Sequence, residues 1–419
     1  MTVILPTPTK NLINFALSPQ PFEALHPLMA LSTTFMPPSS PKLNLYSKIR
    51  RPFYPHSVRF LNPLKIRAST TLDYSNVSTN DKSPPLKTSN WQWKFKDNLI
   101  NIYYEEHVKE SPEPSQNILM MPTISDVSTV EEWRLVAGDI AQRNGNTNWR
   151  ATIVDWPGLG YSDRPKMDYN ADVLEKFLVD FINSPNGPMK QPGHAASIVA
   201  RAAKKGLVKP KAIAAVAPTW AGPLPIVFGR DSSMETSHVC DDHLTLFHSI
   251  NNWHFFSLSR KPDRYGLLRG TLKAPAVGWM MYNMLVSNEN AIQSQYKSHV
   301  YANPDNVTPG IVESRYALTK RKGARYLPAA FLTGQLDPVT SREEFLELFT
   351  ALEGKTPVLV VSTKGSPKRS KAEMEALKGA KGVTKFVEVP GALLPQEEYP
   401  ALVAEELYQF LQEYFGTVA

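Results

Sequence analysis

The chain has a single cysteine, Cys240, among 419 residues. That excludes an internal disulfide framework and a four-cysteine zinc site. No apolar run reaches the roughly 18 residues that a membrane-spanning helix needs, so no transmembrane segment is expected. Acidic residues are scarce at the start of the sequence. Residues 1–70 hold one, Glu23, against eight lysines and arginines. The formal charge of +7 resides there, because the remainder carries 38 basic and 38 acidic side chains. A neutral body without an aromatic platform argues against a nucleic-acid partner.

The acid-poor segment is rich in Ser, Thr and Pro, with 11 of the 36 prolines. This is the bias of an organellar transit peptide, and Ile66-Arg67-Ala68 before Ser69 resembles a stromal processing site. Residues 1–68 are therefore expected to be a disordered plastid transit peptide, which places the protein in the chloroplast. The alternative is a basic tail kept on the mature chain. Residues 69–90 read as a polar linker.

Beyond the linker, Trp91, Trp93 and Phe95 alternate with polar residues like a strand, and Ile100 to Tyr104 does so again, with Asn98 as the turn between them. Short apolar runs at Ile118–Met121, Ala151–Val154, Ala212–Ala217, Ala329–Leu332, Val358–Val361 and Phe386–Val389 read as buried strands. Helical spacing at Glu131–Gln142 and Val403–Tyr414 places helices among them. Strands alternating with helices predict a doubly wound, mostly parallel α/β sheet. Core is expected at 91–224 and 328–419, with a helical cap at 225–327 between them.

Asp155-Trp156-Pro157-Gly158-Leu159-Gly160-Tyr161-Ser162 resembles the loop after the fourth strand of the α/β-hydrolase superfamily. Phe331 to Val339 resembles the strand and turn that carry the triad acid there. Pro390 to Pro400 resembles the loop that carries the triad histidine, and Arg264–Leu327 resembles the cap of a plastid and cyanobacterial subgroup. The resemblance implies an α/β-hydrolase fold with a helical cap insertion.

It also implies a degenerate triad. Such an enzyme needs a nucleophile on a tight elbow, a histidine base and an orienting acid. The elbow falls at Gln191–Ala196, with Gly193 at the nucleophile position. Leu393 stands at the histidine position, and Asp337 at the acid position. The backbone N–H groups of Ile124 and His194 would be the oxyanion donors, with Pro122-Thr123 replacing the usual His-Gly. Asp155 is expected to tie down its own glycine loop.

Two stretches depart from the pattern. No apolar run precedes the elbow between Asn183 and Gly193, so the central strand is missing. Ser237–Asp263 holds Cys240 and four of the nine histidines, a composition unlike its flanks. Together they suggest a transcript with one segment lost and another gained, the alternative being that 237–263 is a real surface excursion of the cap. His238, Cys240 and His243 have no second pair at finger spacing, so no metal and no cofactor is expected.

Leu272–Val286 reads as an apolar cap helix lining a pocket, with Trp279 and Met280 on it and Trp220 facing it from the sheet edge. The expected function is a chloroplast α/β-hydrolase-type protein without Ser-His-Asp catalysis. It would keep a capped pocket for a small apolar, acyl- or lipid-like ligand, or bind a protein partner. The alternative is an active hydrolase of ester or related bonds, using non-standard residues or made from another splice form. A third reading is an interaction protein at a membrane surface. The oligomeric state stays open.

Overall fold

The computed structural model describes residues 86–109, 115–184, 187, 189, 196–219 and 266–416. The alternating aromatics make the first hairpin. β1 (Lys87–Phe95) pairs antiparallel with β2 (Asn98–Val108), and Phe95 faces Asn98. The turn is therefore Lys96-Asp97 rather than Asn98, with Lys96 at φ 52°, the left-handed conformation that tight hairpin turns require. Pairing begins at Lys87, so the core starts inside the stretch read as linker to residue 90.

β2 pairs antiparallel with β4 (Asn148–Val154), and β4 pairs in parallel with β3 (Ser115–Met120), giving the order β1-β2-β4-β3. A second, wholly parallel sheet has the order β5-β6-β7, from Ile213–Val216, Val358–Thr363 and Lys385–Val389. Helices α1 (Arg134–Gln142), α2 (Ala171–Asn183) and α3 (Ala196–Lys204) lie between the strands of the first part. The cap comprises α4 (Gly266–Lys273), α5 (Pro275–Leu285), α6 (Glu289–Gln295), α7 (Pro309–Thr319) and α8 (Tyr326–Leu332). Next come α9 (Arg342–Thr350), α10 (Lys368–Glu375), α11 (Pro395–Glu398) and α12 (Pro400–Phe415).

Among the described residues no strand lies between α2 and α3, and the sheet divides there: one part ends at β3 and the other begins at β5. Two layers of side chains cross that division. On one face Val136 and Ile140 of α1, with Val403, Leu407 and Phe410 of α12, form one cluster with Ile118 and Met120 of β3, Ala214 and Val216 of β5, and Leu359 of β6. On the other face Leu174, Phe177 and Phe181 of α2, Val199 of α3 and Phe345 of α9 join Leu119 of β3 to Ile213 and Ala215 of β5. Each fully buried side chain of this size contributes roughly 1.5–3 kcal/mol, so among the described residues helix packing, not a hydrogen-bonded ladder, joins the two sheets.

Two expectations need correction. Ala329–Leu332 is not a strand but the end of helix α8. A short apolar run fits either state, and Pro328 falls in the first turn, where its missing N–H has no intrahelical partner to lose. The Leu272–Val286 run is two helices, because Pro275 holds Ala274 extended at ψ 141° and starts a new one. Ser237–Asp263 lies outside the described residues.

Candidate functional site at the C-terminal ends of the strands

In open α/β sheets the reactive groups gather where strands end. After β4, Asp155 is fully buried and accepts hydrogen bonds from Val130 N at 2.8 Å and Tyr161 N at 2.7 Å. Burial nevertheless pushes its carboxyl well up. Gly160, at φ 50°, comes so close that a Cβ would sit 2.1 Å from the Asp155 carboxylate. Asp155 thus anchors the glycine loop, as its sequence context suggested.

After β3, the Pro122 carbonyl accepts from Trp156 Nε1 at 2.9 Å, and Thr123 N–H donates to Glu132 at 3.0 Å. The Thr123 hydroxyl lies 3.1 Å from the same carboxylate and 2.7 Å from the Ser128 hydroxyl. Glu132 is buried, and burial, reinforced by the charge of Glu397, pushes its carboxyl up to about 7. Gln396 of α11 donates to it at 3.5 Å.

Beside this pair lies a buried ion cluster. Arg315 of α7 is 1% exposed and donates to Glu131 at 2.6 Å, to Glu397, and to the Tyr296 hydroxyl at 3.0 Å. Burial opposes ionisation of Glu131, but Arg315, Ser314, Tyr161 and Arg134 outweigh it and hold its carboxyl low. For Glu397 burial prevails and the carboxyl is raised. The neighbouring Glu398 accepts from Ala302 N at 2.9 Å and Asn303 N at 2.7 Å. Cap and sheet edge are therefore clamped by charge-assisted bonds on buried groups.

The turns after β6 and β7 are joined backbone to backbone. Gly365 N–H donates to the Gly391 carbonyl at 2.9 Å, and Leu393 N–H donates to the Val300 carbonyl of the cap at 3.0 Å. A Cβ on Gly365 would lie 2.5 Å from the Ala302 methyl. Ser366 bonds only its neighbour's hydroxyl on Thr363 among the hydrogen bonds described.

The geometry has counterparts among solved structures. The lip1 protein of Acinetobacter baumannii AYE, named as a lipase, matches with a TM-score of 0.50 at 18% identity, over 78% of this chain and 92% of its own. The chain has the α/β-hydrolase fold. A bromoperoxidase from Bacillus anthracis is also similar, with a TM-score of 0.49 at 13% identity over 77% of this chain and 100% of its own. So is the Cif epoxide hydrolase of Acinetobacter nosocomialis, with 0.48 at 16% over 80% and 90%. No protein-family model matches the sequence, and no curated protein does.

Among the described residues, the candidate positions Leu393, Asp337 and Ile124 each sit on a different loop of this α/β-hydrolase fold. Leu393 is half-buried in the loop after β7, and its neighbour Leu394 packs with Val127, Tyr296 and Tyr301 beneath the cap. Asp337 lies in a turn that follows helix α8 rather than a strand, and its neighbours Leu336 and Val339 pack into the cluster under α2 and α9. Ile124 is half-buried in the loop after β3, against that same cluster. Gly193, His194 and Trp220 lie outside the described residues, as do His238, Cys240 and His243.

The pocket expectation also changes. Trp279 and Met280 are 61% and 57% exposed on the outer side of α5, because the face of α5 turned inward carries Gly278 and Tyr282 instead. The cavity beneath α5, lined by Leu272, Gly278, Tyr282 and Ala329, measures about 20 Å³, room for about one water. A wider depression of about 370 Å³ lies at the opposite ends of the strands, around Gly354 and Gly382.

Sequence reading missed Glu131, Glu132, Arg315 and Glu397. A signal was available: Arg315 shares the helical spacing of Val312 and Leu318, a core stripe where arginine needs a buried partner.

Proposed function

We propose that this chain is a non-catalytic α/β-hydrolase-fold protein of the chloroplast, acting by binding through its clamped cap. One observation carries the reading. The turns after β6 and β7 hold Gly365, Ser366 and Leu393, tied to each other and to the cap by backbone bonds. Counting back from β7, the strand beside it is β6, so an acid and a histidine of this fold would stand on those two turns. A leucine cannot shuttle a proton, and a glycine packed against Ala302 leaves no room for a carboxylate. Enzymes of this kind owe much of an acceleration of about a million-fold or more to such groups. With them gone, oxyanion stabilisation alone leaves about 10³–10⁴ over water.

Acyl-ester turnover tests this. With a series of p-nitrophenyl esters from acetate to palmitate, the chain is expected to release nitrophenol no faster than that residual of about 10³–10⁴ over buffer, and Asp337→Ala to change nothing. Saturable turnover that Asp337→Ala abolishes would overturn the proposal. Import is tested by fusing residues 1–68 to a fluorescent reporter. Retention in the cytosol would refute the plastid assignment.

A second reading, a hydrolase with non-standard residues, rests on the Thr123 hydroxyl beside a carboxyl that titrates near 7, a base poised beside a hydroxyl. The same hydroxyl is already bonded to Ser128, and Glu132 is 2% exposed. Loss of residual turnover in Glu132→Gln, with folding intact, would favour it.

A further inference from the structure

A surface helix of a soluble protein turns polar residues outward. α5 does not. On a spacing of about 100° per residue, Ala276, Val277, Trp279, Met280 and Met284 share one outward arc, and all five are exposed. The single polar residue within that arc, Asn283, donates to the Trp279 carbonyl at 2.8 Å. Leu267 of the adjoining helix α4 is also exposed, at 64%. Side chains of this size present together on the order of 500 Å², the scale at which an apolar patch marks an interaction site.

The patch has a basic border. Arg325 donates to the carbonyls of Ala274 and Pro275, at 3.1 and 2.9 Å, at the start of α5. Lys320 reaches the Ser287 carbonyl at 3.4 Å, beyond its end, and Tyr282 of α5 bonds the Thr319 carbonyl at 3.3 Å. The exposed run Lys320-Arg321-Lys322 therefore stands next to α5. Residues 266–288 and 315–325 contain no acid. Asp168 pairs with Lys273 at 2.8 Å, and Glu289 opens the next helix.

We propose that the outward arc of α5 and its basic border form a docking surface for an anionic lipid membrane. Tryptophan and methionine suit the boundary between headgroups and acyl chains, and lysines beside them gain from a negative surface. A second copy would bring the same basic border against itself in an isologous contact, which like charges disfavour. No helix among the described residues is long and apolar enough to cross a membrane, so the contact lies in the interface plane. The proposal extends the reading of the cap as a binding element, and its test does not depend on the absence of turnover.

The test is flotation of the full chain with vesicles of phosphatidylcholine alone or mixed with phosphatidylglycerol. Brominated acyl chains report the depth of Trp279 by quenching its fluorescence, read as the difference between the parent and Trp279→Phe. Flotation is expected with the mixed vesicles, weakening as salt rises, with quenching that disappears in Trp279→Phe. Lys320→Gln/Lys322→Gln should lower partitioning about 25-fold, at about fivefold per basic charge. Met280→Ser/Met284→Ser should lower it further while the thermal unfolding of these surface variants stays that of the parent. Parent-like partitioning of either variant, or quenching retained in Trp279→Phe, would overturn the proposal and assign any flotation to the basic N-terminal segment, and equal binding to neutral vesicles would overturn it as well. Self-association lost in Met280→Ser/Met284→Ser, without vesicle binding, would overturn it in favour of a second copy.

Discussion

Replacing Glu132 by glutamine is expected to stabilise the protein in mildly alkaline solution and to leave it unchanged in mild acid. Burial and the nearby charge of Glu397 raise the Glu132 carboxyl from 4.5 to about 7. In the unfolded chain the same group titrates near its ordinary value. Between these limits the folded state binds one proton more than the unfolded state, so stability falls as pH rises. At about 1.4 kcal/mol per pH unit, the displacement from 4.5 to about 7 corresponds to about 3 kcal/mol. That contribution is full below 4.5 and lost above about 7. Glutamine keeps the shape, and it keeps an acceptor oxygen for Thr123 N–H, which donates at 3.0 Å, but it does not ionise. The assay is urea unfolding followed by tryptophan fluorescence, for parent and variant, at about pH 5 and about pH 8.5. The curves should coincide in acid and separate by about 3 kcal/mol in alkali, a large share of a typical domain stability of about 5–15 kcal/mol. A variant no more stable than the parent at the higher pH would refute the reasoning. Glu132 would then be ionised in the folded state and held by Thr123 and Gln396.

Arg315→Met removes the cation shared by Glu131 and Glu397 in a buried site, and is expected to cost about 3–5 kcal/mol at neutral pH. The same urea curves check it, and the loss should shrink in acid as the carboxyls take up protons. Gly365→Ala forces a methyl against Ala302 and the Gly391 carbonyl, and should destabilise by about 1–3 kcal/mol. Thermal unfolding measures this, and a stability equal to the parent's would show that the two turns can separate without loss.

The hairpin of Trp91, Trp93 and Ile100 was legible because alternation with polar residues has one structural meaning. Before α3 no apolar run occurs to make a buried strand, and no strand lies there among the described residues. Ala329–Leu332 was not legible as a helix: four apolar residues carry no period, and the choice was made by packing against α4. Nor did sequence show that Trp279 faces outward, because an all-apolar helix conceals which side is inside until Gly278 and Tyr282 are seen against α4 and α7. The ion cluster was hidden for a different reason. A buried Arg315 is tolerable only with Glu131 and Glu397 in place, and the three residues are brought together by folding across distant parts of the chain.

The division between β3 and β5 changes how force and motion pass through the molecule. A continuous sheet behaves as a stiff plate, since adjoining strands resist shear through many hydrogen bonds loaded at once. Here, among the described residues, that plate is cut in two, and load crosses through the aliphatic and aromatic contacts of α1, α12, α2, α3 and α9. Such contacts slide more readily than ladders break. The seam is therefore the natural plane of breathing, along which amide protons in β3 and β5 meet solvent while those in the interior of each half-sheet stay protected.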